Sequence, residues 1–119
     1  RLCNLLSCQG VDVICSTISL FSEIHMWNRE SLRKYVEIYL AVDLDTLKKR
    51  DLKGLYRRAE AGEIDNVMGV DLPVEEPEMP DLVIRNDGDT DPGSIARMIL
   101  EAAMRRTREG WTPTMGIPK

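Results

Sequence analysis

No apolar run in this 119-residue sequence reaches the roughly 18 residues that a membrane-spanning helix requires, and the opening RLCNLLSCQG has no stretch long enough for a signal peptide. A cytoplasmic protein is the expectation. Cysteine is scarce. Cys3, Cys8 and Cys15 are odd in number and carry no paired metal-ligand spacing, which speaks for small buried free thiols in a reducing compartment. Histidine occurs once, at His25, and a surface or helix-packing role is expected of it. The 16 basic and 20 acidic residues are interspersed rather than blocked, so no sustained basic face is offered to nucleic acid. No internal repeat is visible.

What is present suits one globular domain. The chain is 43% hydrophobic, enough for a single core. The first residue is Arg1 rather than methionine, and helical apolar spacing is already under way at Leu2, Leu5 and Leu6, so the chain is expected to begin in mid-element.

Residues 2–9 read as the end of a helix closed by Gly10 in a left-handed cap. Val11, Val13, Ile14 and Cys15 form a mainly β-branched run, so a buried strand is expected at 11–16, entering a polar loop at 17–22. Asn28 is expected to cap a helix from Arg29, and YVEIYLAV gives a second strand at 36–42 with a polar end at 43–45. Helices are expected at 45–50 and across KGLYRRAEAGE, the latter ending near Gly62. NVMGVDLPVEEPEMP, residues 66–80, carries three prolines and no sustained period and reads as an ordered loop. A third strand is expected at 82–84. Asp91 and Pro92 open a last helix whose Ile95, Met98, Ile99, Ala102 and Ala103 share a face, and 109–119 forms a loose tail. Strands alternating with helices predict an α/β fold with a parallel sheet, and ligand sites in such folds lie beyond the carboxyl ends of the strands.

The uninterrupted stretch RDLKGLYRRAEAGEIDNVMGVDLPVEEPEMPDLVI, residues 50–84, resembles the lid and following loop of the adenylylsulfate kinase family. VDVICSTISLF resembles that family's strand and Ile-Ser turn, and YVEIYLAVDLDTLKKRD its next strand and helix. The resemblance covers about residues 1–100. It implies a three-layer P-loop kinase fold in a partial domain over 1–108, with a lid at about 50–66. It also implies a reaction: ATP with Mg2+ phosphorylates the 3′-hydroxyl of adenosine 5′-phosphosulfate in sulfate assimilation. By the match to R-D-x-K-G-L-Y, Lys53 reaches the anionic nucleotide substrate and Arg50 lies near ATP. Gly54, Leu55, Tyr56, Arg57 and Arg58 continue the lid, which is expected to cap the carboxyl edge of the sheet facing Ser19. Ile18 and Ser19 match the family's Ile-Ser, which lies against the substrate; Ser19 is also a candidate phosphate acceptor, although a binding role suits it better because a serine nucleophile needs a nearby base. Asn66, Gly69, Asp71, Pro73, Glu75 and Pro77 repeat the N-x-x-G-x-D-x-P-x-E-x-P loop. A second copy of the chain is a candidate partner.

The sequence departs from the family pattern at several of these positions. Val67 stands where an aromatic ring sandwiches the adenine of the substrate, and losing such a face weakens base binding by on the order of 1–3 kcal/mol. Leu20 and Ser22 replace a proline and an arginine, Glu60 a basic lid residue and Val74 a tyrosine. A kinase for another modified nucleotide, sulfated or phosphoramidate-bearing, is therefore an alternative. A non-catalytic dimerisation or regulatory module is another. No G-x-x-x-x-G-K-[ST] occurs in these residues, so the strand and Walker A loop that would cradle the triphosphate are not among them. The resemblance places that strand between 11–16 and 36–42. Without it the two strands are expected to collapse together, to be filled by a partner copy, or to leave exposed edges.

Overall fold

The computed structural model describes residues 1–18, 21–32, 34–88 and 90–108. Ser19, Leu20 and the tail at 109–119 lie outside these. Its elements, in chain order, are α1 (Leu2–Cys8), α2 (Ser22–Ser31), β1 (Ile38–Ala41), α3 (Leu44–Lys49), α4 (Leu55–Glu60), β2 (Leu82–Arg85) and α5 (Pro92–Arg108). Helix α1 closes as its sequence requires. Gly10 takes φ +81°, and the N–H groups of Gly10 and Val11 donate to Ser7 and Leu6 carbonyls at 3.0 and 3.2 Å, the reversal that a left-handed residue permits.

β1 and β2 pair in parallel, with Ile38 opposite Leu82 and Ala41 opposite Arg85. Two of the three expected strands are thus present. The third is not: 11–16 forms no strand, and Ile14 is 98% exposed. β-Branched residues favour extended backbone, but a strand is stabilised by its neighbours, and none pairs with this segment among the described residues. It runs beside α1 instead, where a hydrogen bond and charge from Cys3 push the Cys15 thiol up. The thiols are also less buried than expected, for Cys8 and Cys15 are exposed and Cys3 is half-buried.

Two helix starts are fixed in different ways. α5 begins where local sequence says it should: Asp91 Oδ2 accepts from Ser94 N–H at 2.9 Å, with Pro92 at the first helical position. Its half-buried residues include Ile95, Ile99, Ala102, Ala103 and Arg106, while Met98, expected on the same face, is exposed. α2 begins seven residues earlier than Asn28 suggested, at Ser22 rather than Arg29. Asn28 lies inside it, accepting on its carbonyl from Leu32 N–H at 2.9 Å, and the helix starts at Ser22 under a cap from a distant carboxylate.

A polar knot joins the amino ends of the strands. Glu37 N–H donates to Asp81 Oδ2 at 2.8 Å, and Asp81 N–H donates back to the Glu37 carbonyl at 2.9 Å. Arg29 Nη2, from α2, reaches Glu37 Oε2 at 3.0 Å, the Met79 carbonyl at 2.7 Å and Asp81 Oδ2 at 3.3 Å. Arg106 Nε, near the end of α5, lies 3.4 Å from Asp81 Oδ1, so α5 runs back antiparallel to β2. His25 packs here too, 3.8 Å from Glu37 Oε1. Because parallel strands share one direction, this knot lies at the edge opposite their carboxyl ends. Its role is to hold helices to strands.

The expected single core is small within the described residues. Val67 and Ile84, 6% and 4% exposed, are its buried apolar members. Leu40 on β1 and Val83 on β2 stay exposed, although the faces of a parallel sheet are ordinarily covered. The strands have not collapsed onto 11–16; open edges and faces are what the fold shows.

Candidate functional site

Three segments meet the carboxyl edge of the sheet or the turn next to α2: the hairpin of α3 and α4, the loop at 66–77, and the chain around Ile18. Past β1, Asp43 caps α3, with Oδ1 on Thr46 N–H and Oδ2 on the Thr46 hydroxyl, each at 2.8 Å; those two bonds hold its pKa below the ordinary value. The polar strand end expected at 43–45 is therefore taken up by a helix start. Past β2, Asn86 N–H donates to the Ala41 carbonyl at 2.9 Å. Gly88 follows at φ +105°, and a Cβ there would lie 3.0 Å from Arg50 Nη2. Arg50 thus leaves the end of α3 and lays its guanidinium against the turn after β2, across the carboxyl edge.

The segment that leads into α4 is built around Asp51. Its Oδ1 accepts from Leu55 N–H at 2.6 Å and its Oδ2 from Arg57 N–H at 3.2 Å, while Gly54, in a left-handed conformation at φ 65°, turns the chain into α4. This arrangement leaves the basic residues outward. Lys53 is exposed and pairs with no acid among the described residues. Arg57 is exposed, with its guanidinium against Gly54, and Tyr56 is half-buried. Arg58 Nε pairs with Glu63 at 3.2 Å, and Lys48 on α3 pairs with Glu60 on α4 at 2.5 Å. Glu60, where the resemblance expected a base, therefore ties the two arms of the hairpin. Leu52, 99% exposed, and Leu55 add apolar surface beside the charges.

The loop at 66–77 is ordered by its own carboxylates. Asp71 accepts from Asn66 N–H at 2.5 Å and Val67 N–H at 2.6 Å, the local bonding that turn-forming aspartates offer, and these bonds hold its pKa low. Asn66 and Gly69 supply the positive φ values, 65° and 82°. Val67 is buried rather than offered as a surface. Two further bonds fasten the loop to the rest of the chain. Glu75 Oε2 accepts from Ser22 N–H at 2.7 Å, and the Tyr39 hydroxyl on β1 donates to Glu76 Oε1 at 3.2 Å.

Of the residues picked out in the sequence, Arg50, Lys53, Gly54, Leu55, Tyr56, Arg57 and Arg58 form one hairpin, and Val67 sits in the adjoining loop. Ile18 is exposed on the segment leading to α2. Ser19 lies outside the described residues. Sequence reasoning missed Glu75 as a fastening group although it had quoted it in the loop motif, and it missed the Arg29, Glu37 and Asp81 knot, whose members carry no local signal. No three His, Cys, Asp or Glu side chains come together as a metal site among the described residues. With no Walker A sequence present, these residues do not by themselves fit magnesium and ATP.

Parallel strands joined through helices, with a basic hairpin and a shaped loop beyond their carboxyl ends, place the chain among α/β proteins, a class whose ligand sites ordinarily lie at that edge. Comparison makes the class specific: the chain belongs to the adenylylsulphate kinase family, whose model matches residues 1–85. That family carries a P-loop kinase fold, of which the two parallel strands and their helices are an incomplete part. A cytidine diphosphoramidate kinase of Campylobacter jejuni is 49% identical over 86 residues, covering 72% of this chain and 50% of the relative. An adenylyl-sulfate kinase of Halothermothrix orenii is 38% identical over 96 residues, covering 81% and 52%. One of Microcystis aeruginosa is 40% identical over 95 residues, covering 80% and 52%. The chain spans about half the length of these relatives. No helix of the described residues is long and apolar enough to cross a membrane.

Proposed function

We propose that this chain is the lid and acceptor-binding part of a kinase that transfers the γ-phosphoryl group of ATP to a ribose hydroxyl of a nucleotide. The acceptor oxygen forms a bond to the γ-phosphorus as the bond to the β,γ-bridging oxygen breaks. ADP leaves, and the hydroxyl proton passes to solvent or base. Such transfer depends on positioning and on positive charge around oxygens whose charge shifts. The observation that carries this reading is the 50–58 hairpin, in which Asp51 bonds to its own helix and leaves Lys53 exposed and without an ion-pair partner among the described residues. A short basic hairpin of this kind can close over phosphates and reopen for release. ATP and Mg2+ would be held by the P-loop segment that the family supplies, with Arg50 at the edge of the ATP site.

The acceptor we favour is a nucleotide of the cytidine diphosphoramidate kind. Val67 is buried and offers no ring to stack on a purine, a loss that matters less to a smaller base, and the relative with that acceptor in its name is 49% identical. A second reading, 3′-phosphorylation of adenosine 5′-phosphosulfate, is supported by the several adenylyl-sulfate kinases at 37–42% identity. Turnover of the two nucleotides side by side by the full-length enzyme, with ATP and Mg2+, separates them. Higher kcat/KM on cytidine diphosphoramidate is expected, the opposite order selects the second reading, and turnover of neither, nor of any other modified nucleotide, refutes the kinase.

A further inference from the structure

Glu75 joins two segments that are 53 residues apart and that the family resemblance assigns to the same substrate. Its Oε2 accepts the N–H of Ser22, the first helical residue of α2, at 2.7 Å. That bond, with a second from the Ser22 side chain, holds the Glu75 carboxyl below its ordinary pKa. α2 has no side-chain cap of its own, since Phe21 precedes it, so Glu75 supplies the carboxylate that a helix amino end favours. Glu76, its neighbour, accepts from Tyr39 on β1 at 3.2 Å. Glycine 69 packs toward α3, where a Cβ would meet Leu44 Cδ1 at 3.6 Å. The loop is thereby packed toward α3 near its start, at Gly69, and held to β1 and to the start of α2 near its end, at Glu76 and Glu75.

Ser22 follows Ile18 and Ser19 closely in the sequence, and among the described residues its ties to the loop are the two bonds to Glu75. We infer that Glu75 is a positioning residue for the acceptor nucleotide: its carboxylate, bonded to Ser22, sets the start of α2 against the 66–77 loop, so that the two sides of the acceptor site are registered by charge-assisted hydrogen bonding. This rests on the kinase reading above. It assigns Glu75 no contact with substrate.

The clean test deletes the bond from each end in the full-length enzyme. Glu75→Ala removes the acceptor. Ser22→Pro removes the donor while suiting the first helical position, where proline is tolerated and its N–H is not needed by the helix; Phe21 already has the extended backbone that a following proline requires. Each single variant is expected to raise KM for the acceptor nucleotide by about tenfold, the scale of one charge-assisted hydrogen bond, with KM for ATP within twofold of the parent value. The double variant should be no worse than either single one, and Glu75→Gln, which keeps an accepting oxygen, should recover most of the loss. Acceptor KM unchanged in both singles, additive losses in the double, or equal rises in both KM values would overturn the inference. If the unmodified enzyme phosphorylates no nucleotide, the kinase reading itself has failed; amide exchange at Ser22, faster in Glu75→Ala than in the parent chain, then still reports whether the bond exists.

Discussion

Asp51 and Leu55 are joined at 2.6 Å from carboxylate oxygen to backbone N–H, and the second oxygen of the same carboxylate accepts from Arg57. One side chain thus satisfies two of the donors that a helix leaves open at its amino end. It also decides which way the neighbouring bases face. With Asp51 turned into the helix, Lys53 has no local carboxylate to pair with.

Replacing Asp51 by alanine should therefore loosen α4 before it affects anything else. Loss of such a cap costs about 1 kcal/mol. Amide exchange at residues 55–58 should accelerate by roughly fivefold, while Asp51→Asn, which retains one accepting oxygen, should change it far less. Exchange unaffected by Asp51→Ala would show that α4 does not depend on this cap.

The polar knot makes a separate prediction about stability. Glu37 is 8% exposed, and Arg29 is its cation at 3.0 Å. Burial works to lower the Arg29 pKa, but the bonds and charges of Glu37 and Asp81 outweigh it and raise the value overall. Arg29→Met removes the cation beside buried Glu37 and should destabilise the chain by about 3 kcal/mol, the low end for breaking a buried pair because Arg29 keeps some contact with water. Urea unfolding measures this. Adding Glu37→Gln should restore much of the loss.

The same carboxylate has a spectroscopic signature. Burial first, then the charge and hydrogen bond of Glu37, push the Tyr35 hydroxyl up to about 12. An alkaline absorbance titration should show one tyrosine ionising near that value, and Glu37→Gln should bring it back toward the ordinary 10. Because the folded value is raised, the stability it reflects is intact below pH 10 and is lost as pH climbs toward 12.

Acid should act on the loop at 66–72 in the opposite direction. The bonds from Asn66 and Val67 N–H hold the Asp71 pKa below its ordinary 3.8, so its contribution is present above that value and lost as pH falls through the lower, folded one. The Asn66 and Val67 amide resonances should stay fixed from neutral pH down to about 4 and move only below it. In Asp71→Asn they should not titrate with this group. A midpoint above 4 in the unmodified chain would contradict the geometry.

What the sequence could disclose followed the range of each interaction. Gly10 and Asp91 with Pro92 act within a few residues, and both were legible in advance. β1 and β2 were legible too, because their apolar runs find each other. The run at 11–16 is also rich in β-branched residues and forms no strand, since pairing depends on a neighbour that propensity does not describe. The start of α2 was misplaced for a related reason: Asn28 is a good local cap, but the carboxylate that starts the helix comes from Glu75. Arg29, Glu37 and Asp81 look like ordinary surface charges in the sequence and become a knot only when α2 and both strands assemble. At the candidate site, the residues of the 50–58 hairpin were picked out through their motif, whereas Glu75 and Glu76 were visible only as motif letters without a task.

The central claim is phosphoryl transfer to a nucleotide under the basic hairpin at 50–58. Its most direct measurement follows label from [γ-32P]ATP in the full-length enzyme and in its Lys53→Ala variant, with the 119-residue chain alone as a third sample. The account predicts labelled phosphate on the ribose of the acceptor nucleotide with the full-length enzyme, at least tenfold less with Lys53→Ala, and none with the isolated chain. Label that never leaves ATP, or that appears only as free phosphate whichever nucleotide is offered, would contradict it.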